Sequence, residues 1–424
     1  MSSSTHFKVV TVVGARPNFM KAAPIIRAIR ASNEEGKNPR IDHVLVHTGQ
    51  HYDAVMSDRF FSDLDLPVPD AHLGVGSGSH AAQTAEIMRK FEDVLLKERP
   101  AVVVVVGDVN STIGCSLVTA KISFGSTGSR PLIAHVEAGL RSFDRSMPEE
   151  INRIVTDHIS DLLFVTEDSG IKNLHNEGIS AEKIHLVGNT MIDSLLAFQD
   201  KAEASMVLEQ LGLRGRTQKN GTSNPIAPYA LLTLHRPSNV DSRDAFLNIL
   251  EGLEELATDC PIFFPVHPRT RQRIREFDLG LHVGAEAAQV NIDGHDARNN
   301  RRGIILTDPL GYLDFLCLMK HARIVVTDSG GIQEETTCLG IPCVTVRENT
   351  ERPVTVESGT NIIAGTTKER IAGAIRRQMH RKGANSIPKN WDGQAATRIV
   401  EILVRANAVR TSSACQPVIP QSLA

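Results

Sequence analysis

Ala101-Val-Val-Val-Val-Val106 contains no polar residue, so a strand built on it shows apolar side chains to both faces of its sheet. That is the pattern of a parallel strand covered on both sides. Parallel pairing requires long crossover connections, usually helices, and the flanking sequence supplies them. Phe7–Val13, Ile41–Val46, Leu132–Val136, Leu162–Val165 and Lys183–Val187 are further short apolar runs. Helical spacing lies between them, as in Met20–Arg30 and in the stretch through Ala85, Met88 and Leu95, which Ser79 is placed to cap. This βαβ repetition predicts a doubly wound parallel sheet.

The chain has 424 residues, too many for one ordinary core, and suggests two domains of roughly 150–200 residues each. Between Leu211 and Pro228 the composition turns to Gly, Arg, Thr, Asn, Ser and Pro, as in a surface loop or interdomain connection. The alternation then restarts, with strands expected at Tyr229–Leu234, Pro261–Val266, Gly303–Leu306, Arg323–Thr327 and Pro342–Val346. Residues 280–302 read as an exposed polar insertion, and periodicity is lost from Arg410 onward. The expected whole is two similar α/β domains with a cleft between them.

A formal charge of −3 offers no global field for nucleic acid or a membrane surface, so an anionic ligand must be held by local basic groups. No apolar run approaches the roughly 20 residues that span a bilayer. The opening Met1-Ser-Ser-Ser-Thr-His lacks the basic and apolar regions of a secretory signal, so a soluble, cytoplasmic protein is expected. The six cysteines form no Cys-x-x-Cys pair and no His cluster has zinc spacing, which argues against a disulfide framework or structural metal. Sparse aromatic residues disfavour a base-stacking nucleic-acid binder.

In open α/β sheets, ligands bind beyond the carboxyl ends of the strands. Those ends carry Gly14-Ala-Arg-Pro-Asn-Phe-Met-Lys21, His47-Thr-Gly-Gln-His51, Gly107-Asp-Val-Asn-Ser111 and Glu137 in the first half. In the second half they carry His235-Arg236, His267-Pro-Arg269, Asp308-Pro-Leu and Thr327-Asp-Ser-Gly-Gly-Ile-Gln-Glu-Glu335. Glu137 is expected where a buried strand opens into a loop, a costly place for a carboxylate without a partner or a task. Glu149 and Glu150 lead into the apolar-periodic helix Ile151–Ile159, near its positive end. A strand-end acid and a helix-start acid can converge on one cleft, as proton transfer requires.

Each motif has a plainer alternative. Thr327-Asp-Ser-Gly-Gly331 lets backbone N–H groups approach a phosphate at a helix start, with Glu335 one turn on to accept from a ribose diol; it is equally a tight turn with a Ser or Asp cap. It is neither a Walker loop nor Gly-x-Gly-x-x-Gly. Arg16 and Lys21 can neutralise a pyrophosphate, with Arg236 completing the clamp, or can be solvated cations. Asp108 can be a catalytic acid or a turn cap, Glu149 can serve the helix dipole, and His235 can carry a proton, bind phosphate or be structural.

Taken together and in order, Gly14-Ala-Arg-Pro…Lys21, Thr48-Gly-Gln-His51, Gly107-Asp-Val-Asn-Ser-Thr112, His135-Val-Glu-Ala-Gly-Leu-Arg141, Pro148-Glu-Glu-Ile-Asn-Arg153, Leu234-His-Arg236 and Asp328-Ser-Gly-Gly-Ile-Gln-Glu-Glu335 resemble the bacterial non-hydrolysing UDP-N-acetylglucosamine 2-epimerases. The resemblance runs from about Phe7 to about Val404. It implies the GT-B fold, two Rossmann-like doubly wound parallel-sheet domains facing across a cleft, in a cytoplasmic homodimer. The implied domains are residues 1–190, completed by a C-terminal helix near 391–408, and residues 191–390, with 409–424 a disordered tail.

The resemblance also implies a reaction: anti elimination of UDP across C1–C2 to 2-acetamidoglucal, then re-addition with the C2 proton on the other face. No metal, nicotinamide or other cofactor takes part, and the product feeds cell-surface polysaccharide synthesis. By motif position Asp108, Glu137 and Glu149 match the catalytic acids, with His235 a further catalytic or phosphate-contacting residue. Arg16, Lys21, Arg141, Arg236, Ser329, Gly330, Gly331, Glu335 and Arg352 take substrate or UDP contacts, and Gln50, His51 and His267 match a site where a second UDP-GlcNAc acts as activator. Two departures stand out: His235-Arg-Pro-Ser-Asn239 in place of His-Arg-Arg-Glu-x-Asn, and Tyr52-Asp53 after Gln50-His51 where many members have Arg followed by Glu or Gln. Alternative expectations are a hydrolysing epimerase, an epimerase of a modified UDP-2-acetamido sugar, and a GT-B glycosyltransferase or silent sensor.

Overall fold

A computed structural model describes residues 6–50, 63–124, 129–215, 225–283, 302–381 and 386–414. The chain divides into two compact units, residues 1–194 with 390–424, and residues 195–389.

The first unit is built on a seven-stranded, wholly parallel sheet in the order β3-β2-β1-β4-β5-β6-β7. Its strands are β1 His6–Val13, β2 Arg40–His47, β3 Ala71–His72, β4 Val102–Val106, β5 Leu132–Ala138, β6 Leu162–Val165 and β7 Ile184–Leu186. The valine run behaves as its composition requires. Val102, Val104 and Val106 pack into one core with Ile25 and Ile29 of the helix Arg16–Glu34 and Ile399, Val400 and Leu403 of the helix Ala395–Ala414. Val103 and Val105 pack into another with Ile87, Phe91 and Leu95 of the helix His80–Glu98. Each such fully buried side chain contributes roughly 1.5–3 kcal/mol. The final helix is capped by Asp193, whose carboxylate accepts from Ala395 N at 3.2 Å and Ala396 N at 2.7 Å. That helix continues to Ala414, past Arg410 where the sequence reading lost its periodicity; residues 415–424 lie outside the described residues.

The second unit repeats the design with six parallel strands in the order β10-β9-β8-β11-β12-β13. They are β8 Ala230–Thr233, β9 Ile262–Pro265, β10 Ile304–Thr307, β11 Ile324–Thr327, β12 Cys343–Thr345 and β13 Asn361–Ile363. Most of the expected insertion at 280–302 lies outside the described residues.

Both sheets reverse strand order at one place, between β1 and β4 in the first unit and between β8 and β11 in the second. Such a switch point opens a crevice at the carboxyl ends of its strands. Gly14–Lys21 and Gly107-Asp108 stand at the first, His235-Arg236 and Asp328–Gly331 at the second. Among the described residues, no helix is long and apolar enough to cross a membrane.

Candidate active site

In the first unit, Asn18 holds the turn that follows β1. Its Oδ1 accepts from Gly14 N at 3.1 Å and Ala15 N at 3.0 Å, while its Nδ2 donates to Val106 O at 2.9 Å. The helix Arg16–Glu34 is thereby seated over the end of β4. Arg16 opens that helix, but its side chain lies outside the described ones. Lys21 turns inward and its Nζ lies 2.5 Å from Glu137 Oε2.

Glu137 differs in one respect from expectation: β5 extends past it to Ala138. The register with β6 shifts between Val136 and Ala138, and Glu137 takes a left-handed φ of 71°. Such a bulge re-aims a side chain while the strand continues. Gly107 lies beneath the pair; a Cβ there would stand 3.0 Å from Lys21 Nζ and 3.8 Å from Glu137 Oε2.

Asp108, the next residue, is not a helix cap. The N-cap of the helix Asn110–Lys121 is Val109, and the Asp108 carboxylate instead pairs with Arg153. Arg153 also binds Glu150 at 2.6 Å. The Glu150 carboxylate accepts from Ser142 N at 3.0 Å and Phe143 N at 2.9 Å. Burial raises its pKa, but those backbone donors and Arg153 outweigh burial and hold it below the usual carboxylate range. Glu149, beside it on the helix Pro148–Ile159, is half-buried and has no hydrogen-bond or ion-pair partner among the described residues. Of the two adjacent acids, Glu150 is therefore fixed inside the protein and Glu149 is available.

Beneath these groups lies a buried polar frame. His135 Nδ1 is 2.7 Å from Asp157 Oδ1 and its Nε2 is 2.9 Å from Gly107 O, so the ring braces the Gly107 turn. Asp157 Oδ2 binds Arg141 at 2.7 Å, and Arg141 forks onto both oxygens of Glu177 at 2.7 Å each. Arg141, expected among the substrate contacts, has a side chain that is 1 % exposed and bound to these two carboxylates. Gln50 is likewise buried, its Oε1 accepting from Ser111 N at 2.9 Å and Ser111 Oγ at 2.7 Å. His51, Tyr52 and Asp53 lie outside the described residues.

In the second unit the organising residue is Asp328, fully buried at the end of β11. Its carboxylate accepts from His235 N at 3.0 Å, Arg236 N at 2.9 Å and Asn239 Nδ2 at 3.1 Å, and pairs with His235 Nδ1 at 2.9 Å. Burial pushes its pKa up, but His235 and the backbone donors prevail and hold the group below its ordinary value. The His235 side chain, 61 % exposed, therefore turns Nδ1 inward and leaves Nε2 outward, as a proton carrier or phosphate ligand requires.

Ser329 is the N-cap of the helix Gly330–Leu339 without a side-chain cap bond, so the turn is not explained by capping. A Cβ at Gly330 would stand 2.6 Å from Arg352 Nη1 and 2.8 Å from Glu351 Oε1. Beneath the glycines runs a charge chain: Glu334 with Arg352 at 2.7 Å, Arg352 with Glu351 at 2.7 Å, and Glu351 with Arg347 at 2.7 Å. Burial raises the Glu351 pKa, yet Arg352 and Arg347 hold it far below the carboxylate range. Arg352 is thus a buried support of the glycine turn. Arg236 is less enclosed: its Nε donates to Asp328 O at 3.0 Å, its Nη2 lies 3.8 Å from Glu351, and its side chain is 24 % exposed. Glu335 is buried, and burial followed by the charge of Glu334 pushes its pKa to about 8. His267 stands apart after β9, exposed, its Nδ1 accepting from Arg269 N at 3.3 Å.

Sequence reasoning missed Asp157, Glu150, Asp328 and Glu351 as organisers. The first two had a signal: Glu150, Arg153 and Asp157 recur at i, i+3 and i+7, one face of a helix otherwise read as apolar.

Two Rossmann-like parallel-sheet units, with acids at one switch point and a His-Arg and Gly-Gly pair at the other, define an α/β enzyme of the GT-B class. The chain belongs to the UDP-N-acetylglucosamine 2-epimerase family, whose model matches residues 33–404. It is 41 % identical to the UDP-N-acetylglucosamine 2-epimerase of Methanocaldococcus jannaschii, over 93 % of this chain and 98 % of that one. It is 37 % identical to the UDP-2,3-diacetamido-2,3-dideoxy-D-glucuronate 2-epimerase of Pseudomonas aeruginosa, over 94 % and 99 % respectively. The crystal structure of the M. jannaschii enzyme in complex with UDP-GlcNAc and UDP aligns with a TM-score of 0.79, covering 94 % of this chain and 99 % of that one.

Proposed function

We propose that the protein interconverts UDP-GlcNAc and UDP-ManNAc. The C2 proton of the sugar has no adjacent ring carbonyl to acidify it, so direct abstraction and return is unfavourable. In the elimination path a carboxylate takes the C2 proton, the C1–O bond breaks with its electron pair leaving on the UDP β-phosphate, and a C1–C2 double bond forms. UDP then adds back to C1 while a proton is delivered to the other face of C2. The path needs acids at the sugar and stabilisation of departing UDP.

The observation that carries the reading is Glu137, aimed out of the end of β5 by a bulge and gripped by Lys21. Asp108 and Glu149 are the other candidate acids on the sugar. Supporting the UDP half are the two glycines at the start of the helix Gly330–Leu339, the outward Nε2 of His235 and the partly exposed Arg236. A cytoplasmic homodimer, activation by a second UDP-GlcNAc and supply of polysaccharide synthesis belong to the same proposal. Sedimentation and a sigmoidal rate curve test the dimer and the activator.

Incubation with UDP-GlcNAc in deuterated water should yield UDP-ManNAc and deuterium at C2 in both nucleotide sugars. Absence of both would sink the reading. The P. aeruginosa relative favours a second reading, in which the sugar is a 2,3-diacetamido uronate; a panel of UDP-2-acetamido sugars in the same assay separates the two. Accumulation of free ManNAc with UDP would instead mark a hydrolysing epimerase.

A further inference from the structure

Phe143 is 78 % exposed and takes a left-handed φ of 60°. For a bulky aromatic residue that conformation is a true outlier, which persists only where the surrounding structure enforces it and which clusters at functional sites. The other non-glycine residues with positive φ among those described are Asp65, Arg99, Glu137, Asp278 and Asn390. Of these only Glu137 lies near it in the chain, inside β5, and it belongs to the site described above.

The loop around Phe143 is built to hold it there. Phe143 N donates to Glu150 Oε1 at 2.9 Å, and Ser142 donates to Glu150 Oε2 through N at 3.0 Å and Oγ at 3.1 Å. Arg141, one residue earlier, is locked to Asp157 and Glu177. On the other side Asp144 Oδ1 accepts from Ser146 N at 3.0 Å. Arg153 joins Glu150 to Asp108, so the clamp on Phe143 and a candidate catalytic acid share one guanidinium. The connection leaves the carboxyl end of β5, the side on which α/β sheets take ligands.

We propose that Phe143 is an apolar platform for the sugar of the substrate and retains the glycal after UDP departs. This rests on the epimerase reading. The intermediate is neutral and carries no phosphate, so once UDP has left it is held by hydrogen bonds to its hydroxyl and acetamido groups and by whatever apolar face the site offers. Aromatic rings supply such a face at little conformational cost, and retention of a reactive intermediate prevents wasteful release.

The test uses the full chain with Phe143→Gly, which suits a positive φ, and Phe143→Tyr, which keeps the ring. For Phe143→Gly, UDP affinity should hold, the affinity of UDP-GlcNAc relative to UDP should fall about tenfold, and NMR should detect increased free 2-acetamidoglucal with UDP. Phe143→Tyr should restore both. Unchanged relative affinity with no added glycal release overturns the proposal. So does a change in assembly mass, which would assign the ring to a second copy. Failure of the epimerase reading shows separately, as no C2 exchange in the wild type; the relative-affinity comparison then still decides whether Phe143 meets a sugar.

Discussion

Lys21 Nζ lies 2.5 Å from Glu137 Oε2, with the two side chains only 7 % and 3 % exposed. Removing one partner of a buried ion pair costs about 3–5 kcal/mol, because the other charge is left without compensation. Glu137→Gln should therefore lower the melting temperature and abolish C2 deuterium exchange, with UDP affinity retained. Adding Lys21→Met should recover part of the stability and none of the turnover. Exchange persisting in Glu137→Gln would remove this carboxylate from the mechanism.

Glu335 sets a pH dependence. Burial, with the Glu334 charge second, raises its pKa from 4.5 to about 8. Between those limits the folded chain holds a proton that the unfolded chain releases, so stability falls as pH rises through the window. The full effect is on the order of a few kcal/mol. Glu335→Gln should leave stability at pH 4 nearly unchanged and raise the melting temperature at pH 8, flattening the curve relative to wild type. Parallel curves for the two proteins would show that the carboxyl is ionised in the fold.

Both sheets were legible because their central strands are apolar on two faces, as Val102–Val106 shows. The unforeseen strands, Ala71–His72 and Asn361–Ile363, are edge strands of two and three residues, too short for periodicity to register. At the site, which residues matter was readable from their places after strands, but their pairings were not. Arg141 and Arg236 look alike in sequence, yet one is buried and forked onto Glu177, while the other is 24 % exposed with its Nε on Asp328 O. Only the fold brings Asp157 to His135, 22 residues away, or Asp328 to Asn239, 89 residues away.

Gly330 is required by the Arg352–Glu351 pair packed against it, since a Cβ would come within 2.6 Å of Arg352 Nη1. Both side chains are tied in the buried chain that includes Glu334 and Arg347, so they cannot yield freely. Gly330→Ala should cost about 1–3 kcal/mol through overpacking and weaken UDP binding by displacing the turn. Calorimetry of UDP binding and thermal melting would check this. Wild-type affinity in the variant would show that the turn does not meet the nucleotide.

Asp328 gathers four donors from the His235–Asn239 segment, and an amide cannot replace it. Asparagine offers one acceptor oxygen and no charge, leaving backbone N–H groups or His235 Nδ1 poorly served. Asp328→Asn should therefore destabilise the protein by about 2–4 kcal/mol and weaken UDP binding, because His235 and Arg236 lose their common anchor. The folded pKa lies below 3.8, so the carboxylate's contribution is present above the unfolded pKa and is lost as pH falls through the folded one. The stability gap between wild type and variant should hold at neutral pH and close only below about pH 3.8. A gap that closed already at pH 6 would show that the ionised Asp328 carboxylate is not what anchors the His235–Asn239 segment.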